Sequence, residues 1–415
     1  LYLQIKTQLQ EMVRSGELSG GTRLPPSRAL AESLGVTRLT VVSAYSELEA
    51  EGLVQSHVGR GTFVVGDSKR HVGAPVVEGV AVSTAGLLPW QKSPVRGEVS
   101  RATTAREMLK LSRREGVISF ATGAPVADFL PAADLQKAIN AVLTRDGASA
   151  LQYDMPEGYP PLREAISHYL ADLGIHAPAE RILITSGTQQ AIDLVARVLA
   201  APGEIVITES PTYSGAIDAF EARGARILGL PIDSAGMRVE MLENTILQRP
   251  ASFIYCAPTF QNPTGSNMAP DRRRHLLSLA ERYGLPVIED DAYSELRYDG
   301  PELPALAALD RRGCVVHVGS FSKMLVPGLR LGYMVIPFEA YDRFVVMKQT
   351  ADLHTSSLVQ RTVHEYLRTR SLAAHLKKVR LECRKRRDAM AAAMKRHLPG
   401  EAIWSVPDGG PYLWV

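Results

Sequence analysis

Between residues 181 and 336, short runs of apolar, mostly β-branched residues alternate with stretches of helical periodicity, and this alternation constrains the fold more than any other feature. The runs span 181–185, 205–208, 225–231, 252–256, 286–288, 314–318 and 331–336, with helical patterns over 189–200 and 269–283 between them. They are short and mainly apolar, interrupted by few charged residues, as in strands buried on both faces. The pattern predicts an α/β sheet, largely parallel, covered by helices on both sides. Ligands of such sheets sit at the carboxyl ends of the strands, so the residues after each run matter most.

After 181–185 comes Ser186-Gly187-Thr188-Gln189-Gln190 and then a helix. A helix start of this kind offers backbone N–H groups and a favourable dipole to an anion, although a plain helix cap reads the same way. After 205–208, Tyr213 either lies over a planar ring or belongs to the core. After 252–256, Asn262 either donates to a phenolate oxygen or forms an Asn-Pro turn. Asp290 can hold a protonated ring nitrogen, with the Tyr293 hydroxyl three residues on. A metal is the rival for the Asp290–Asp291 pair, but no neighbouring His or Cys supports it.

The stretch 320–333 sets Lys323 directly after Ser320 and Ser322, with Arg330 seven residues downstream and small or apolar residues around them. Desolvation disfavours an ammonium and leaves an amine able to form a Schiff base. The two hydroxyls and the guanidinium are donors suited to a phosphate. A carbonyl that carries its own phosphate describes pyridoxal 5′-phosphate (PLP).

Residues 1–65 follow another logic. An amphipathic helix pattern over 1–15 is followed by Pro25-Pro26-Ser27, with Ser27 placed as an N-cap. Gly35 stops the second helix and Thr37 caps a third. Two helices joined by a short glycine-containing turn form a helix-turn-helix. In the third helix Val41, Ala44, Tyr45 and Leu48 share the inward face, which leaves Arg38, Thr40 and Ser43 outward. Runs over 53–58 and 62–65, joined by Gly59-Arg60-Gly61, read as a hairpin wing with an arginine at its tip. Six basic residues are matched by six acidic ones, yet Arg23, Arg28, Arg38 and Arg60 gather at the turn, the helix starts and the wing. That edge is the expected footprint of double-stranded DNA.

The 415 residues are too many for one ordinary domain, and 45% hydrophobic with 22% charged content fits a globular protein with a sizeable core. A net charge of +3 alone points to no polyanion. Cys256, Cys314 and Cys383 are scattered, without metal spacing, and read as reduced thiols of a cytoplasmic protein. No metal is expected for want of ligand spacing, and no membrane partner because no stretch reaches about 18 uninterrupted apolar residues. Residues 66–101 lack periodicity and read as a linker, on which Trp90 is a docking candidate.

The motifs of residues 1–65, from Leu24-Pro25-Pro26-Ser27-Arg28 to Gly59-Arg60-Gly61-Thr62-Phe63-Val64, closely resemble the winged helix of GntR-type regulators. Residues 102–415 resemble a fold-type I PLP-dependent aminotransferase. The matching motifs are Gln152-Tyr153 to Gly158, Ser186 to Gln190, Pro211-Thr212-Tyr213, Asn262 to Gly265, Asp290 to Tyr293, Ser320 to Lys323, and Arg330. The combination resembles the MocR subgroup of bacterial transcription regulators. The resemblance implies an internal aldimine at Lys323, Asp290 on the pyridine nitrogen, and Asn262 and Tyr293 at the ring oxygen. It further implies phosphate contacts from Gly187, Thr188, Gln189, Ser320, Ser322 and Arg330, and Tyr213 on the ring. Gly123 belongs to a substrate loop, and Tyr153 reaches across a homodimer. The arginine that grips a substrate carboxylate is expected beyond Val415, in a small domain incomplete as given. The chain is then a DNA-binding regulator that senses an amino acid, an amine or PLP. The alternative is a working aminotransferase with a DNA-binding tether.

Overall fold

The computed structural model describes residues 2–15, 17–50, 53–57, 61–65, 110–112, 114–120, 123, 125 and 127–415. The chain divides into two compact units, Leu1–Ser93 and Pro94–Val415. The linker expected over 66–101, with Trp90, and the wing-tip Arg60 lie outside the described residues.

In the first unit α1 (Tyr2–Arg14), α2 (Ser27–Leu34) and α3 (Arg38–Ala50) precede the antiparallel strands β1 (Val54–His57) and β2 (Gly61–Val64). Ile5, Leu24, Ala31, Val41, Ala44, Tyr45, Leu48, Val54 and Val64 form its core. Gly35 ends α2 in the left-handed region at φ +64, which a residue without Cβ adopts freely. Ser27 is the first residue of α2 rather than its cap. Pro26, with φ at −54, makes the extended entry, and no side chain caps it. Thr37 does cap α3, accepting from the Thr40 N–H at 3.3 Å. The wing also gains a third edge: Leu24 N–H donates to Thr62 O and Val64 N–H to Thr22 O, both at 2.8 Å.

The second unit is built on an eight-stranded sheet of β3 (Ile182–Thr185), β4 (Ile205–Ser210), β5 (Arg226–Asp233), β6 (Gly236–Met237), β7 (Ala251–Cys256), β8 (Val287–Asp291), β9 (Val315–Ser320) and β10 (Gly332–Val335). Their order is β3-β10-β9-β8-β7-β4-β5-β6. The central pairs β5–β4–β7–β8–β9 are parallel; β10 is antiparallel to both neighbours, and β6 is a two-residue return of β5. Strand β8 runs to Asp291, so Asp290 lies within the strand rather than after it.

Alternate side chains of each strand feed two cores. Phe253 and Tyr255 of β7 pack with α6 (Thr188–Leu199), α7 (Ser214–Ala222) and Phe344, whereas Ile254 and Cys256 pack with α8 (Leu242–Gln248) and α9 (Pro270–Tyr283). Each large side chain so buried contributes about 1.5–3 kcal/mol. This two-sided burial is why the runs are mainly apolar. Helices α4 (Ala132–Asp146), α5 (Pro160–Asp172) and a later one over Ser357–Thr369 share a third cluster with Ile182, Phe321 and Tyr333. Among the described residues no helix is long and apolar enough to cross a membrane.

Candidate functional site

Lys323 sits on a single helical turn, Phe321–Met324, directly after β9, and the Ser320 hydroxyl caps that turn by accepting from the Ser322 N–H at 3.1 Å. Its Nζ donates to Gly123 O at 2.7 Å. Burial first, and then the Arg330 guanidinium, push the amine's pKa down from its ordinary value. Arg330 adopts the left-handed region at φ +48, sparsely populated for a residue with a side chain. Its guanidinium passes beside Gly187, where a Cβ would fall 2.6 Å from Nη2, and lies 3.5 Å from the Ser322 hydroxyl. Gly187, Thr188 and Gln189 form the entry to α6.

Asp290 is buried between strands. Its Oδ2 accepts from the Tyr255 hydroxyl at 2.6 Å, and its Oδ1 has no hydrogen-bond partner among the described residues. Burial chiefly, opposed by the Tyr255 bond, raises this carboxyl to about 6. Asn262 Nδ2 donates to the Tyr293 hydroxyl at 3.4 Å, and that hydroxyl lies 3.0 Å from the Tyr412 hydroxyl. Tyr412 in turn abuts Gly123, where a Cβ would fall 2.8 Å from its hydroxyl. Asn262, Tyr293, Tyr412, Gly123 and Lys323 thus form one string of contacts, and the Arg330–Gly187 pair joins it through the charge that Arg330 sets beside the amine. Tyr213 donates to Gln189 Oε1 at 3.0 Å, and its phenol, raised mainly by burial, also feels the Asp290 carboxylate. Tyr153 stands apart at 82% exposed, its ring edge-on to His354.

Three contributors escaped the sequence reading. Tyr255 was read only as part of an apolar run, yet a buried tyrosine needs a partner for its hydroxyl, and that is the signal that could have found it. Glu209, at the end of β4, accepts from the Ala257 N–H at 3.0 Å and from Gln261 Nε2 at 3.2 Å. Gln261 also donates to Pro211 O at 2.9 Å and accepts from the Thr264 N–H, so one carboxyl ties the Asn262 loop to the Tyr213 loop. Burial raises Glu209 to about 8. Tyr412, the third, was not singled out in the sequence.

In the first unit Arg28 and Arg38 are exposed, with Arg38 Nε 3.4 Å from the Ser27 hydroxyl. Thr40 and Ser43 are half-buried rather than fully outward, and Thr40 is turned back to Thr37 at 2.8 Å. Leu39, unremarked in the sequence, holds the outward position at 75% exposed.

The second unit fits PLP on its own geometry. An orphaned buried carboxylate oxygen awaits a donor such as a protonated ring nitrogen, an amine with a lowered pKa stands nearby, and a guanidinium fills the space a Cβ at Gly187 would occupy.

Residues 115–415 match the family Aminotransferase class I and II, and residues 1–64 match Bacterial regulatory proteins, gntR family. The chain is 34% identical to the uncharacterized HTH-type transcriptional regulator YdfD of Bacillus subtilis, over all of this chain and 84% of that protein. It is 31% identical to the probable rhizopine catabolism regulatory protein MocR of Rhizobium meliloti, over all of this chain and 81% of that one. Among solved structures, the α-aminoadipate aminotransferase LysN of Thermus thermophilus superposes with a TM-score of 0.72 at 38% identity, covering 78% of this chain and 81% of that one. A GntR-type reader followed by an aminotransferase-like unit with the parts of a PLP site places the chain in the MocR-type transcription regulators, whose aminotransferase-like domain uses pyridoxal 5′-phosphate.

Proposed function

We propose that this regulator binds operator DNA through residues 1–65 and uses the PLP site of residues 102–415 to sense an amino acid, an amine or PLP itself, with residues 66–101 as the connection. The observation that carries the reading is Lys323: a buried amine of lowered pKa on the same chain as a helix-turn-helix. When bound, PLP supplies an electrophilic carbonyl and an electron-accepting ring. The chain's residues then have separable tasks. Lys323 engages the carbonyl, and Asp290 keeps a proton on the ring nitrogen. Asn262 and Tyr293 face the ring oxygen, and Tyr213 faces the ring. Gly187, Thr188, Gln189, Ser320, Ser322 and Arg330 hold the phosphate. Gly123, hydrogen-bonded to Lys323, lies where an effector enters.

On the DNA side we assign Arg28, Arg38 and Arg60 to phosphates, and Thr40 and Ser43 to the flanks of the recognition helix. The exposure of Tyr153 suits a homodimer in which it meets the partner's phosphate site. A cytoplasmic location follows from the task of reading DNA. The second reading, a working aminotransferase, draws on the complete cofactor set and on the likeness to LysN.

The deciding experiment gives PLP-loaded protein a panel of amino acids and amines, and measures keto-acid release and DNA affinity together. A ligand that shifts DNA affinity without accumulating keto acid supports sensing. Many turnovers with unchanged DNA affinity would establish the enzyme reading instead.

A further inference from the structure

Helix α3 buries Val41, Ala44, Tyr45 and Leu48, so its opposite face carries Leu39, Val42 and Ser46. Leu39 in the first turn is 75% exposed, and Val42 one turn on is 38% exposed. A lone exposed leucine is ordinary. This one has a neighbour on the same face and a cationic surround, since Arg38 adjoins it in sequence and both Arg38 and Arg28, at the start of α2, are exposed. A second copy laid face to face on this surface would bring arginine against arginine. A polyanion with apolar spots fits it better. The major groove, about 12 Å wide, admits a helix, and the thymine 5-methyl is the apolar group on its base edges.

We propose that Leu39 and Val42 are specificity-determining residues that read thymine methyl groups in the major groove. The operator then carries thymine opposite the first two turns of α3 in each half-site. The inference rests on the DNA-reading function proposed above and names what that reading recognises. Arginines on phosphates position a recognition helix but carry no sequence information, so base choice falls to the residues that face the groove floor.

The test begins with a duplex selected from a random-sequence pool by the full chain. Each thymine is then replaced singly by deoxyuridine, which lacks only the methyl, and Kd is read by fluorescence anisotropy at fixed salt. For the parent protein, one or two positions should lose about fourfold in affinity, the worth of one buried methyl. Leu39→Ala should bind the thymine duplex several-fold more weakly and lose the uracil penalty at its own position, and Val42→Ala should do so at a neighbouring one. Both variants should keep the parent's salt dependence, since no phosphate contact is removed, which also shows that they fold. A duplex indifferent to every uracil, or unchanged uracil penalties in both variants, would overturn this inference alone. If Leu39→Ala altered the sedimentation of the free protein and left the penalties intact, the face would be an interface between copies instead. Failure to select any duplex would remove the DNA-reading function and this inference with it.

Discussion

The Tyr255 hydroxyl donates to Asp290 Oδ2 across 2.6 Å, from one strand to the next, and leaves Oδ1 of the same carboxylate buried without a partner among the described residues. In the proposed PLP site the pair would divide the carboxylate's work, with one oxygen fixed by the protein and the other turned to the ring nitrogen. Burial raises this carboxyl to about 6, and the tyrosine bond is what restrains it.

Tyr255→Phe keeps the ring packing against Phe220 and Phe253 but removes that restraint. A hydrogen bond to a charged group contributes about 1.5–3 kcal/mol, so the carboxyl should titrate one to two pH units higher, by roughly 1.4 kcal/mol per unit. A carboxylate is needed to keep the ring nitrogen protonated, so the parent's affinity for PLP should weaken as pH falls below about 6. The variant's affinity should weaken already near neutrality. Absorbance after desalting across pH 5–8 follows this, and superimposable profiles would remove Tyr255 from the site.

Glu209→Gln tests the other buried carboxyl. Glu209 is raised from 4.5 to about 8 by burial, so the folded state holds a proton that the unfolded state has released across this window. Its contribution therefore diminishes as pH rises from about 4.5 to about 8. Glutamine, always neutral, does not titrate. The stability of the variant relative to the parent should climb by about 1–3 kcal/mol over that window, read from urea midpoints at pH 5 and pH 8. A constant difference would mean that the carboxyl is already ionised in the fold.

How far sequence reaches is visible in these same residues. Predominantly apolar runs gave away β4, β7 and β9 because burial on both faces leaves few polar positions, Thr208, Glu209 and His317 among them. The helix-turn-helix was legible from Gly35 and Thr37, whose conformational roles are local. Tyr255 and Glu209 were not legible, because their significance lies in partners 35 and 48 residues away and in a burial that only the folded sheet creates. Ser27 was misplaced by one position because Pro26 took the extended entry. The outward rank of Leu39 over Thr40 depends on the helix's rotation against α1 and α2, which a count of apolar positions fixes only coarsely.

Gly187→Ala should damage the phosphate side selectively. A Cβ there would lie 2.6 Å from Arg330 Nη2, at a φ of +83 that side chains avoid. Strain of about 1–2 kcal/mol at such a φ, added to a displaced guanidinium, predicts at least a tenfold weaker PLP affinity, with DNA affinity in the absence of cofactor unchanged. Quenching of intrinsic fluorescence by added PLP measures the first and anisotropy the second. Unaltered PLP affinity would show that Arg330 approaches Gly187 without serving the phosphate.

Lys323→Ala separates sensing from DNA binding. Among the described residues the amine donates to Gly123 O, within the second unit. The variant should bind operator DNA within about twofold of the parent, well under the tenfold that 1.4 kcal/mol represents, and should ignore every ligand that shifts the parent. The comparison is an anisotropy titration with and without the active amino acid or amine, each protein first incubated with PLP. If basal DNA binding collapsed along with the response, engagement of Lys323 would be needed to hold the reader competent, and the cofactor would be structural rather than a signal.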